Sequence, residues 1–369
     1  MKNINFKSRM NINLLIYLAI IVVSAVILVF LDMNKFEYNY AISIIEKSLV
    51  YAVVALSMNI VTGFTGLFSL GQAGFMALGA YTTAILTIPA AARPNVYYMN
   101  GILPALENAV VPIPIALILG GVVAAAFALI IGIPVLKLKS DYLAIATLGF
   151  SEIIRAVIAS PMMDRITNGS YGLKSIPGFK SSLECFAFSL VCIILMILII
   201  NSSTGRDFKA VREDEIAARS VGINIFKTKQ LSFIVSSFFT GVGGGLLAMF
   251  MRSIDSKTFQ ITLTYDILLI VVLGGIGSIT GSIVGAFFVT AGKEILRFFD
   301  EPLVVAGVEI PLFKPGFRMV IFSILLMVVV LFFRKGLLGG KELSINGLKK
   351  FSRKKDEVSV GGVAWQAMY

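Results

Sequence analysis

The stretch on which the fold turns is "VTGFTGLFSLGQAGFMALGAYTT", residues 61–83. Gly63, Gly66, Gly71, Gly74 and Gly79 lie in an apolar run that also carries Ser69, Gln72 and several threonines. In a water-soluble helix each glycine would cost about 1 kcal/mol relative to alanine. Among membrane helices the balance changes, because small residues allow close approach where packing replaces the hydrophobic drive. Unwound glycine-rich backbone can also offer N–H and C=O groups to a polar solute. Close packing and a solute pathway are thus two readings of one stretch, and both place it inside a helical bundle in a membrane.

Composition supports that setting. The 369 residues are 57% hydrophobic and 14% charged, with a mean hydropathy of +0.90. A soluble domain carries about 25% charged residues. Strong apolar stretches recur at 13–31, 42–61, 70–90, 111–136, 142–159, 184–201, 231–250, 264–292 and 315–333. Most approach the ~20 residues a helix needs to cross hydrocarbon. The net charge of +11 does not indicate nucleic-acid binding, since the positive residues sit in short loops and tails, as cytoplasmic flanks of membrane helices require. The sequence has no histidine, which removes the usual metal ligand and neutral-pH titrating group. Cys185 and Cys192 lie about 10 Å apart along one helix, too far to bridge, and read as packing residues. The apolar stretch 13–31 is too long for a signal-peptide core and reads as a retained first span.

Lysine and arginine set the orientation. The N-terminal tail, loop 137–141, segment 202–230 and the tail after 333 carry most of them and are expected in the cytoplasm. Loops 91–110 and 160–183 are then external. Both termini inside require an even number of crossings. Treating 264–292 as one span breaks that parity, and its middle reads "LGGIGSITG" (273–281). A hairpin or broken pair there, with Gly274 and Gly277 at the break, restores it and predicts about ten crossings. The expected fold is an all-α integral membrane protein, a polytopic helical bundle with two glycine-rich breaks.

Segment 203–230, "STGRDFKAVREDEIAARSVGINIFKTKQ", is different in kind, with ten charged residues of both signs. Its alanines and glutamates suit a short amphipathic helix starting near Arg206 and ended by Gly222. A solvated loop and a docking element for a soluble partner are the two roles it could have.

Within it, "EIAARSVGI" (215–223) resembles the Glu-Ala-Ala-three residues-Gly motif of ABC importer permeases. The ordered motifs "GFTGLFSLGQAGFMALGAYT" (63–82), "LKLKSDYLAIATLGFSEIIRAV" (136–157), "GRDFKAVREDEIAARSVGIN" (205–224) and "ILLIVVLGGIGSITGSIVGA" (267–286) resemble the branched-chain amino acid permeases of the LivH/LivM family, most of all its LivM branch. The resemblance covers roughly residues 40 to 340. Members often have His where Gln72 stands and Ala or Ser where Gly74 stands, and Pro after the last-span Arg, absent from "FFRKGLLG" (332–339). The resemblance implies a multi-pass permease domain (1–340) in a bacterial cell membrane. It further implies ABC ATPase subunits, a second related permease subunit and an extracytoplasmic solute-binding protein as partners. It assigns ATPase coupling to Arg212, Glu215, Ala217, Ala218 and Gly222. Residues 341–369 match no motif and read as a disordered basic tail at the membrane surface.

Polar residues within spans complete the expectation. Glu152 and Arg155, three apart, can neutralise each other on one helix face or contact a zwitterionic solute. Asn59 and Gln72 flank the first break and are expected along the pathway or in helix–helix hydrogen bonds. The expected pathway residues are Asn59, Gly66, Ser69, Gly71, Gln72, Gly74, Glu152, Arg155, Gly274 and Gly277. Glu46 and Lys47, taken as near the start of their span, read as snorkelling to the interface, and Asp266 has the same reading. The chain contains no G-x-x-x-x-G-K-[ST] phosphate loop, so ATP hydrolysis is expected on a separate chain, with no cofactor and no metal here. Urea or short amides are alternative solutes. An ion-coupled carrier would need more deep acidic residues than Glu152, and a membrane enzyme would need convergent catalytic groups.

Overall fold

The computed structural model describes residues 21–99, 101–138 and 140–297, together with residue 19 and short pieces between 304 and 336. Part of the expected span 13–31, most of 315–333 and the whole tail 341–369 lie outside the described residues. The helices are α1 (Ile21–Met33), α2 (Lys35–Asn59), α3 (Gln72–Thr87), α4 (Ile113–Val135), α5 (Ser140–Ile158), α6 (Ser182–Asn201), α7 (Ser203–Glu213), α8 (Glu215–Ser220), α9 (Ile225–Met251), α10 (Ile261–Gly274) and α11 (Ile279–Ile295). Strand pairing among the described residues is confined to Val304–Val305 with Val308–Glu309 and a bridge between Leu173 and Ile254. The all-α expectation holds.

By length and composition, α2 with the π turn Ile60–Phe64 that continues it, α4, α6 and α9 can each cross a bilayer. α3, and α5 counted from Tyr142, can do so only together with the short helices that follow them, at bends of 98° and 60°. α10 and α11 form the hairpin that parity required. Gly274 packs on Gly281, and Gly285 on Ile270 and Gly274, a pairing that runs in opposite directions along the two helices. α10 alone rises about 21 Å, less than the ~30 Å of the hydrocarbon core.

α9 is the central element, packed against α2, α3 and α4. The reason is in its sequence: Gly241, Gly243, Gly244 and Gly245 remove side chains where neighbours press in. A Cβ on Gly79 of α3 would overlap the Gly241 backbone, and one on Gly244 would overlap that of Met76. Gly79 therefore belongs to helix packing, which answers part of the question posed by the opening stretch. Hydroxyls tie the same helices together: Ser57 Oγ lies 2.8 Å from Thr240 Oγ1, and Ser236 Oγ donates to the Ser57 carbonyl at 2.7 Å.

The opposite ends of the bundle are fixed separately. At the end where α2 begins, Asp32 accepts from Ser181 Oγ (2.5 Å), Ser182 N (2.9 Å) and Ser182 Oγ (2.8 Å). It thereby satisfies the first turn of α6 and sits at the positive end of its dipole. Near the same end, Arg93 is 1% exposed and donates to the carbonyls of Ile85, Ile88 and Ala109, capping the end of α3.

Two expectations are corrected. The charged segment is two helices rather than one. Asp214 is extended (φ −159°, ψ 116°), and its Oδ1 accepts from Ile216 N at 2.7 Å and Ala217 N at 3.0 Å. A side chain that caps a new helix competes with continuing the old one. Glu46 and Lys47 are also not near a helix start. α2 begins at Lys35, so they stand in its interior. The polar run "KFEYNY" (35–40) hid the first turns of that helix.

Candidate functional site: the junction of the two glycine-rich breaks

Both breaks fall at the end of the bundle where α2 finishes. After the π turn the chain is non-helical until Gly71, which precedes the first residue of α3. Gly66 has φ +77°, a left-handed conformation that glycine adopts at little cost. In the second break, Gly275 and Gly277 have φ +121° and +80°.

Asn59 joins the two breaks. Its Nδ2 donates to the Ser278 carbonyl at 2.9 Å and to Ser282 Oγ at 2.7 Å, while its Oδ1 accepts from Gly277 N at 2.8 Å. The side chain is fully buried. Both the nitrogen and the oxygen of the amide are used, and the tip of the α10–α11 hairpin is held against the end of α2.

α7 reaches the same junction from outside the bundle. Ser202 caps its N-terminus, and Phe208 and Val211 are buried beneath it. Arg212 Nη1 donates to the Gly63 carbonyl at 2.8 Å. The Arg212 side chain also lies against Gly66 and Gly277, where an added Cβ would come within 3.0 Å and 2.9 Å of it. Lys209 Nζ stands 5.5 Å from the Phe64 ring centroid, a cation–π contact. One helix of the charged segment thus grips both breaks. Arg212 pairs in addition with Glu213.

α8 hangs below α7 on a small core of Val211, Ala218 and Ile225. Ala218 faces this core, whereas Ala217 is exposed. The end of α8 is a Schellman motif: Ile223 N donates to Ala218 O (3.1 Å) and Gly222 N to Arg219 O (3.0 Å), with Gly222 at φ +88°. Gly222 does end the helix, as its sequence position indicated. Glu215 Oε1 is 2.6 Å from Lys229 Nζ. Ile216 and Val221 are 83% and 76% exposed, so α8 presents apolar side chains outward.

The remaining expected residues form a separate group at the start of α3. Ser69 Oγ accepts from Gly71 N at 3.4 Å, Thr147 Oγ1 from Leu70 N at 3.0 Å, and Thr264 Oγ1 from Ala73 N at 3.1 Å. The α10 hydroxyl thus satisfies an N–H group that the start of α3 leaves open, and the α5 hydroxyl satisfies one in the loop just before it. Gln72 is 3% exposed, and its Oε1 accepts from Thr240 at 2.6 Å. Gly71 and Gly74 let α5 approach, at Thr147 and Ser151. Gly274 lies in the hairpin contact with Gly281. Glu152 and Arg155 stand apart from both groups and pair with each other at 2.7 Å, each about one-third exposed. Ser278, Ser282, Thr147, Thr264 and Thr240 escaped the sequence reading. The signal available for Ser278, Ser282 and Thr240 was a hydroxyl next to a glycine in an apolar run.

The chain is similar to known proteins over most of its length. The family described as "Branched-chain amino acid transport system / permease component" matches residues 40–331. The chain is 32% identical over 295 residues to the high-affinity branched-chain amino acid transport system permease protein LivM of Salmonella typhimurium, covering 71% of this chain and 64% of that protein. It is 26% identical over 330 residues to the probable branched-chain amino acid transport permease protein LivM of Methanocaldococcus jannaschii, covering 81% and 93%. A more distant similarity, 27% over 209 residues, links it to the L-arabinose transport system permease protein AraH of Escherichia coli, covering 55% and 61%. The match to the Salmonella protein thus spans a little under two-thirds of that relative's length. No solved structure matches the chain. With the match extending over most of its length, the chain belongs to the family of branched-chain amino acid transport permease components.

Proposed function

We propose that this chain is the permease subunit of an ATP-driven importer, moving branched-chain amino acids that an extracytoplasmic binding protein delivers. The observation that carries this reading is the contact of Arg212 with Gly63, Gly66 and Gly277. A pull or push on the charged segment reaches both points where the membrane helices are interrupted. The exposed Ile216 and Val221 on α8 supply the apolar anchors that an ATPase cleft would bury, and Arg212, Glu215, Ala217, Ala218 and Gly222 build or orient that element. In this reading the segment faces the cytoplasm together with both termini, as the lysine and arginine distribution requires. ATP binding on the partner would move α7 and α8, shift the glycine breaks about their left-handed backbone, and alternate access to a pathway framed with a second, related permease subunit.

Asn59, Ser69 and Gln72 are buried and hydrogen-bonded in this arrangement. Their role in transport is to hold the breaks, with the solute passing where those breaks open. The Glu152–Arg155 pair has its charges neutralised internally, which disfavours an ion-coupled carrier. The similarity to AraH shows that related sequences include a protein named for a sugar, so the solute must be measured. The test is uptake into vesicles holding the permease pair and its ATPase, with binding protein outside. Leucine, isoleucine and valine are expected to be taken up in an ATP-dependent manner. Uptake of urea or short amides instead would move the assignment to those solutes, and uptake driven by an ion gradient without ATP would refute it.

A further inference from the structure

A cavity of about 500 Å³ opens where α4 ends, bounded by the start of α9, by α8 and by the first glycine break. Lys137, Arg219 and Lys229 line it, with Glu215 as the one acid in its wall. Glu215 is already paired with Lys229, so Lys137 and Arg219, both exposed, leave the cavity with an excess of two positive charges. Its rim is apolar: Leu138 is 45% and Phe226 39% exposed. α4 is a 23-residue span, and this cavity begins just past its last turn. That places cations at the depth of lipid headgroups, with exposed apolar side chains beside them at the edge of the acyl chains.

We infer that this cavity holds the phosphate headgroup of an anionic phospholipid. A soluble phosphate would match the cations but would have no use for Leu138 and Phe226. An ATPase carboxylate would approach α8 by its outward side chains, Ile216 and Val221, which are not part of the cavity wall. A phosphodiester between Lys137 and Arg219, with its acyl chains against Leu138 and Phe226, satisfies both halves of the site. The occupant would touch the coupling element at Glu215 and Arg219 and the break at Gly66 and Leu67. Membrane charge could thereby reach the moving parts. The inference rests on the membrane placement of α4 and not on which solute is carried or which face is cytoplasmic.

The test uses the full chain in nanodiscs, which expose both faces, so its failure is distinct from an error of orientation or solute. A fluorophore on Leu138→Cys reports local lipid by quenching with spin-labelled phosphatidylglycerol or, as control, spin-labelled phosphatidylcholine. Cys185 and Cys192 are buried and leave the new thiol as the accessible one. Quenching is expected to favour phosphatidylglycerol. That preference should fall by roughly five-fold for each of Lys137→Gln and Arg219→Gln, with melting temperature unchanged. Equal quenching by the two lipids, or a preference that survives the double substitution, overturns the inference. Loss of the preference on adding glycerol phosphate to the bulk would assign the cavity to a soluble phosphate and overturn it equally.

Discussion

Replacing Asn59 by leucine keeps roughly the same bulk and removes the three polar bonds that Asn59 makes to the second glycine-rich break. Three hydrogen bonds are lost, at 2.7, 2.8 and 2.9 Å. Their weight follows from what each partner does afterwards. The Ser278 carbonyl still accepts from Ser282 Oγ at 3.0 Å, so it is not orphaned. Ser282 Oγ likewise keeps that bond. Gly277 N–H has no second partner of this kind among the described residues and pays desolvation. Hydrogen bonds between membrane helices average about 0.6 kcal/mol each, and an unsatisfied buried N–H costs about 1–3 kcal/mol. Two ordinary losses and one orphan give about 2–4 kcal/mol. Ser282→Ala removes the bond from Asn59 and the bond to the Ser278 carbonyl, and should cost about 1 kcal/mol by the same measure. The assay is thermal or denaturant unfolding in detergent for both variants and for the double variant. In the double variant the Ser282 effect should fall to about half, because only its bond to the Ser278 carbonyl is then left to lose. Equal small effects of the two single substitutions, additive in the double, would refute the bridge.

Three further outcomes are expected. Gly71→Ala should be nearly neutral, since its Cβ would meet only side-chain and carbonyl atoms at 3.3–3.4 Å, whereas Gly79→Ala must displace the Gly241 backbone and should cost about 1–3 kcal/mol in a melting measurement. Asp214→Ala removes the cap of α8 and should cost about 1 kcal/mol locally. Gly222→Ala forces a left-handed alanine and should cost about 1–2 kcal/mol, and both variants should weaken ATPase binding in a pull-down more than they lower the melting temperature. A cysteine at 204 should be labelled only from the cytoplasm and one at 95 only from outside, and labelling of both from one side would overturn the proposed orientation.

The elements themselves were legible because hydrophobic runs and glycine clusters are local signals. The α10–α11 hairpin could be inferred from parity, since an odd count of spans cannot leave both termini on one side. What the sequence did not disclose is that the two breaks meet. Asn59 and Gly277 lie 218 positions apart, and nothing in either stretch encodes the other. Gln72 was visible as a polar residue in an apolar run, but its bond to Thr240 depends on α9 being wedged beside α3. In the sequence Asp214 reads as one of ten charges in a charged segment. Its capping position, immediately before a short alanine-containing helix, was the available sign that two helices and not one were present. The start of α2 was missed for a different reason: its first turns carry polar and charged residues, and hydropathy sees only the part of a helix that lies in hydrocarbon.

The central claim is that Arg212 carries motion from the charged segment into the glycine-rich breaks. The most direct measurement is the amount of solute imported per ATP hydrolysed by reconstituted transporter carrying Arg212→Met, which keeps apolar bulk beside Gly66 but cannot donate to the Gly63 carbonyl. The account predicts a complex that assembles and hydrolyses ATP while importing several-fold less solute per ATP than the unaltered protein. An unchanged ratio of solute to ATP, in a complex of normal abundance, would contradict it.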